Sequence, residues 1–129
     1  ANAVLADTAL SVTVAAGGIY AIELVVHSTS AVKALNMDFA GTATIANFIG
    51  EWFCFNNDDF AVTEALRVTS AGTDFGTTAG DGFSPYYTFT GSVEITDAGT
   101  FLLRGAQNVS DASNTTILRG STLVLTQLN

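Results

Sequence analysis

Few side chains in this sequence are able to serve as nucleophile, base or metal ligand. There is one histidine, His27, and one cysteine, Cys54. His27 stands beside Ser28, and acids elsewhere would in principle complete a Ser-His-Asp triad. No Gly-x-Ser-x-Gly elbow accompanies them to hold a serine at a strand-to-helix turn. His27 falls at the end of an alternating stretch, on its less apolar side, which is the place of a surface or interface histidine. Cys54 and His27 would nominally make a thiol–imidazole pair. The neighbours Trp52, Phe53 and Phe55 instead describe a buried, inert thiol.

Oxygen ligands crowd at Asn56-Asn57-Asp58-Asp59, but the spacing is not that of a calcium loop and no distal Glu follows. Asn and Asp supply turn geometry by themselves, so a solvated turn is expected there and at Asp97. Glycoside hydrolysis needs two carboxylates at a set distance, and no pair stands out among the 12 acids. Asn108-Val109-Ser110 and Asn114-Thr115-Thr116 match the glycosylation acceptor pattern within a Ser-, Thr- and Asn-rich stretch where chance matches arise. Neither a phosphate-binding glycine loop nor a zinc spacing is present. The expectation is no catalytic residue, no metal and no cofactor.

The elements that would position these residues read as strands. Ala9–Ala15 alternates, with Leu10, Val12 and Val14 opposite Ser11 and Thr13. Gly17-Gly18 is a turn. Ile19–Thr29 sets Tyr20, Ile22, Leu24 and Val26 against Ile19, Ala21, Glu23, Val25 and His27. Val32–Phe39 sets Leu35, Met37 and Phe39 against Ala34, Asn36 and Asp38. Gly41 and Gly50 bracket a further strand over Thr42–Ile49, and Glu51–Phe55 forms a dense aromatic patch. Phe60–Thr69 is compatible with a helix capped by Asp59, but alternation of Phe60, Val62, Leu66 and Val68 favours a strand. Ser70 to Pro85, with Gly72, Gly76, Gly80 and Gly82, is a long loop.

The C-terminal part carries the clearest pattern. Tyr87, Phe89, Gly91, Val93 and Ile95 share one face of a strand, with Thr88, Thr90, Ser92 and Glu94 on the other. Asp97-Ala98-Gly99 reads as a hairpin loop, with Gly99 in a left-handed position. Thr100–Gln107 then returns, with Phe101, Leu103 and Gly105 opposite Leu102, Arg104 and Ala106. A polar connection leads to a strand at Thr115–Leu118, a turn at Arg119-Gly120, and a last strand over Ser121–Leu128.

Gly99-Thr100-Phe101-Leu102-Leu103-Arg104-Gly105-Ala106-Gln107-Asn108, then Ser110, then Thr115-Thr116-Ile117-Leu118-Arg119-Gly120-Ser121, resembles a pattern at the C-termini of bacteriophage virion proteins. The modules that carry it look like trimeric jelly rolls of the tumour necrosis factor and complement globular-head type. The resemblance covers roughly the last third of the chain. It implies a homotrimer on a virion, with the major capsid protein or another virion protein as partner, and localisation to a virion assembled in the host cytoplasm.

With 129 residues the chain is one domain, 1–129, with 1–8 as an N-terminal arm. The fold class expected is all-β, an antiparallel β-sandwich of jelly-roll type with about eight to ten short strands. Twelve acids against Lys33, Arg67, Arg104 and Arg119 give a net charge of −8. Four scattered bases do not make a phosphate-binding surface, so neither nucleic acid nor an anionic membrane is an expected partner. No apolar run reaches the roughly 18 residues of a membrane span. The start, ANAVLADTAL, lacks the basic and apolar regions of a secretory signal; its first alanine reads as a small residue left by removal of an initiator Met. A lone cysteine suits a reducing compartment.

Mean hydropathy is +0.39, with only 12% charged residues. Ser121–Leu128, Ile19–Val26 and Thr100–Ala106 are apolar on both faces, where a single sandwich needs only one apolar face per strand. A second buried surface is therefore expected, and a closed trimer would cover it. The interface residues expected from this reading are Val124, Leu128, Leu102 and Tyr86. Three functions compete: a capsid decoration (cement) protein, the receptor-binding tip of a tail fibre or spike, and a small jelly-roll hydrolase acting on sugars. The decoration protein is favoured because only about eight residues precede the first strand, too few for a fibre shaft.

Overall fold

The computed structural model describes residues 6–28, 35–55, 62–76, 86–107 and 120–129, and within them the chain is all-β. The strands are β1 (Ala6–Val14), β2 (Ile19–His27), β3 (Leu35–Ala40), β4 (Thr44–Phe55), β5 (Val62–Val68), β6 (Phe75–Gly76), β7 (Tyr86–Asp97), β8 (Gly99–Gln107) and β9 (Thr122–Gln127). They form two antiparallel sheets, one ordered β1-β8-β3-β6 and the other β5-β4-β7-β2-β9. Strand β1 pairs with β8, β2 with β7, β3 with β6 and β4 with β5. This nesting of first with last, inward to the central pair, is the jelly-roll wrapping of a double Greek key. Strand β9 lies outside it and extends the second sheet beyond β2.

Period-two alternation produces these strands and decides which face is dry. In β2, Tyr20, Ile22, Leu24 and Val26 are buried, whereas Ile19, Glu23 and His27 are exposed. Phe89, Val93 and Ile95 of β7 and Trp52 and Cys54 of β4 complete that inner face. The four-stranded sheet answers with Val14, Met37, Phe39, Phe75, Phe101 and Leu103. Phe39 joins the layers: its ring lies 4.9 Å from Phe89 in edge contact and 5.0 Å from Phe101. Aromatic pairs of this geometry add to the gain from burial itself.

Several expectations from sequence are corrected by tertiary context. Strands β7 and β8 do not form a hairpin, since each belongs to a different sheet. Both have one wholly apolar face, and the two faces cover one core from opposite sides. Gly99 is accordingly not left-handed; it is required because a Cβ would fall 2.5 Å from the Ala43 nitrogen. The left-handed glycines among the described residues are Gly17, Gly41 and Gly120. Gly120 does precede the last strand, whereas Thr115–Leu118 and Arg119 lie outside the described residues.

Gly50 does not end a strand. Strand β4 runs through it for 12 residues, and the Phe89 ring occupies the space where a side chain would stand. Bulges near Ile45 and Asn47 reset the alternation, so Phe48, Gly50, Trp52 and Cys54 face inward. Residues 62–68 are strand β5, as alternation favours, and not helix. The stretch expected to be one long loop contains β6, whose Phe75 is fully in the core.

Candidate functional site

The geometry separates the residues that chemistry would need to bring together. His27 and Ser28 are adjacent, so their side chains point to opposite faces; His27 is exposed and Ser28 is buried. Cys54 is on the inner face of β4, opposite Tyr87, while His27 is on the outer face of the same sheet. The sheet itself lies between thiol and imidazole. Phe53 and Phe55 alternate to the outer face, so Cys54 shares its inner side of β4 with Trp52 but not with them.

The described carboxylates with side-chain partners are held in pairs. Glu51 accepts from Arg67 at 2.8 Å, and Glu94 accepts from the Asn47 amide at 2.6 Å. Asp38 is 1% exposed although it projects from the outer side of its sheet, and it takes both arms of Arg104, at 2.8 and 2.5 Å. No three potential metal ligands cluster among the described residues. Asn56–Asp59 and the two glycosylation-pattern sites lie outside them. No helix among the described residues is long and apolar enough to cross a membrane.

What the sequence does assemble is a surface. On the outer face of the five-stranded sheet, Ile19, Ile49, Val62, Val124 and Leu128 are each between 38% and 61% exposed. Register spreads them over the face: Val62 is opposite Phe55 at one corner, Val124 is opposite Glu23, and Leu128 donates its backbone N–H to the Ile19 carbonyl at 2.7 Å at the diagonally opposite corner. At one end of this face the rings of His27, Tyr86 and Phe55 stack across three neighbouring strands. Their centroids are 5.7 and 4.7 Å apart, and Phe53 stands 6.3 Å from Phe55. Two recesses open here. One, of about 360 Å³, lies at the β4 bulge between Ile19, Asn47, Ile49 and Glu94. The other, of about 260 Å³, is lined by Glu51, Phe53, Ala65, Leu66 and Arg67.

Of the four residues expected at an interface, Tyr86, Val124 and Leu128 share this face. Leu102 does not; it sits on the outer side of the other sheet, between Ser11 and Ala40. In β9 the alternation divides as anticipated, with Leu123 and Leu125 packed against the core and Val124 and Leu128 outside. Sequence reasoning misses Ile49 and Val62 on this face, and also the exposed Leu66, which stands opposite Trp52 on the other side of β5. The strand break assigned to Gly50 hides Ile49, and the exposure of the other two follows from β5 being an edge strand, which alternation does not reveal.

The fold and surface together define a jelly-roll β-sandwich whose five-stranded sheet exposes several large apolar side chains around a polar centre of Thr88, Thr90 and Ser92. Comparison with protein-family models, curated proteins and solved structures finds no match.

Proposed function

We propose that this chain is a structural protein of a bacteriophage virion, a non-enzymatic cement that assembles as a homotrimer through its sheet surface and decorates the capsid. The observation that carries the assembly reading is the group of large apolar side chains left in solvent on one face of a small domain. Scattered apolar residues on a surface need no explanation, but five on one sheet face favour a protein partner. The C-terminal resemblance supplies the virion setting, and the major capsid protein is the partner it implies. An acidic chain with four bases is a poor match for nucleic acid.

The test compares Val124→Asp with Leu125→Asp. Val124 is exposed, so in an isolated subunit the aspartate meets only a cross-strand repulsion from Glu23, of at most about 1 kcal/mol, whereas it costs several kcal/mol when a dry contact covers it. Leu125 packs against the core, where the same change removes packing and buries a charge. Light scattering and binding to undecorated capsids are expected to show folded, non-binding monomers for Val124→Asp and unfolded protein for Leu125→Asp. A wild-type protein that is monomeric in solution and absent from virions overturns the reading. A copy number of a handful per virion, in place of hundreds, would move it from the capsid to a fibre tip.

A further inference from the structure

The recess at the β4 bulge differs from the rest of the outer face in what lines it. On β7, Glu94 stands between Ile19 of β2 and Asn47 of β4, and Ser92 stands between Ala21 and Ile49. Ile45 is opposite Ile95 and Asn47 is opposite Glu94, so Ala46 is the extra residue of the bulge. That extra residue resets the alternation and brings the Asn47 amide out beside the Glu94 carboxylate. Thr69 borders the same hollow, which measures about 360 Å³. Its volume falls within the range of small-molecule sites.

The polar groups of this recess are only partly used. Asn47 Nδ2 donates one hydrogen to Glu94 Oε2 at 2.6 Å, which holds amide and carboxylate side by side. The second Nδ2 hydrogen, Asn47 Oδ1 and Glu94 Oε1 have no partner among the described residues, and neither have the hydroxyls of Ser92 and Thr69. Two planar groups thus offer one donor and two acceptors, with hydroxyls beside them. Ile19 and Ile49, which are 38% and 49% exposed, add aliphatic surface on either side. This combination selects a class of ligand. An anion would be repelled by Glu94, which makes no ion pair among the described residues. A metal ion needs more ligands than this, and no three of His, Cys, Asp or Glu cluster there. A wholly apolar ligand would leave the polar groups covered and unpaired. A sugar ring avoids all three faults: each of its hydroxyls both donates and accepts, and its C–H edges suit the isoleucines.

We infer that this recess binds a neutral sugar residue, with two adjacent hydroxyls on Asn47 and Glu94 and the C–H edges of the ring between Ile19 and Ile49. The inference goes beyond the cement reading and does not rest on it, because binding is measured on the wild-type protein in whatever oligomeric state it adopts.

The test is a titration of isotope-labelled wild-type protein, followed by NMR, with millimolar oligosaccharides of glucose, galactose, mannose and N-acetylglucosamine. Uronic acid oligosaccharides are run alongside. At least one neutral sugar is expected to shift the Asn47 side-chain amide together with the backbone amides of Ser92 and Glu94, and the acidic sugars are expected to leave them in place. Glu94→Gln keeps the shape of the side chain, and Asn47→Ala alters an exposed one, so both should fold, which circular dichroism checks. Each is expected to weaken binding about tenfold or more, as the loss of one or two hydrogen bonds does. Arg67→Gln, in the other recess, is expected to bind as wild type does. A panel in which no sugar shifts these resonances overturns the inference. Binding of acidic sugars alone overturns the ligand class. Neutral sugars that shift Phe53 or Tyr86 while the Asn47 amide stays in place overturn the location, as does wild-type affinity in both folded recess variants.

Discussion

Gly50 of β4 and Gly91 of β7 are directly opposite each other at the centre of the five-stranded sheet, and the Phe89 ring lies over the pair. A Cβ on Gly50 would come within 2.3 Å of Phe89 Cζ, and one on Gly91 within 2.3 Å of the Ile49 carbonyl oxygen. The two glycines thus make the space that admits Phe89 between Phe39, Phe48 and Phe75, at centroid distances of 4.9, 5.6 and 5.5 Å.

Gly91→Ala is therefore expected to destabilise the fold by about 1–3 kcal/mol or somewhat more, as overpacking against rigid backbone does. Chemical denaturation should show a lower midpoint with an unchanged slope. A neutral Gly91→Ala would mean that the β4–β7 ladder separates to accept the methyl at no cost.

The two ion pairs should behave differently. Glu51–Arg67 is exposed on both sides, so Glu51→Gln should change stability by no more than about 1 kcal/mol, less at high salt. Asp38 is buried and is held in two bonds by an Arg104 that is one-third exposed. Asp38→Asn removes a charge-assisted pair and leaves the guanidinium partly desolvated, for an expected loss of about 1–3 kcal/mol. Equal midpoints for the two variants in urea would contradict this ranking.

Phe75 belongs to a strand of two residues but is 2% exposed and touches the rings of Phe39, Trp52 and Phe89. Phe75→Ala should cost about 3–5 kcal/mol, the range for deleting a buried aromatic ring. A change of only a few tenths in thermal or denaturant unfolding would show that β6 does not pin the sheets together.

Cys54 is 1% exposed beneath the sheet. The native protein should leave its thiol unmodified over the time in which urea-unfolded protein reacts completely, because reagent and thiolate meet only after the core opens. Labelling at the same rate in both states would place the thiol in solvent.

Alternation made the strands and their dry faces legible: Tyr20, Ile22, Leu24 and Val26 in β2, and Tyr87, Phe89, Val93 and Ile95 in β7, are where period two puts them. The all-β class comes from the same signal. Which strands pair was not legible. The Asp-Ala-Gly segment after Ile95 has hairpin chemistry, but the strands it joins are sent to different sheets, and Phe75 hides in a glycine-rich stretch with no periodicity of its own.

The sequence by itself determined which residues of β2 and β7 need a dry side, because in a strand with one apolar face that depends only on neighbours two positions apart. Tertiary structure alone decided which strand each one meets. It made Gly50 and Gly91 a matched pair under Phe89, and it buried Asp38 against an Arg104 that is 66 residues distant along the chain. It also set Leu123 and Leu125 inward while leaving Val124 and Leu128 in solvent. A strand apolar on both sides fits either way round, and only the register with β2 selects the side that the core takes.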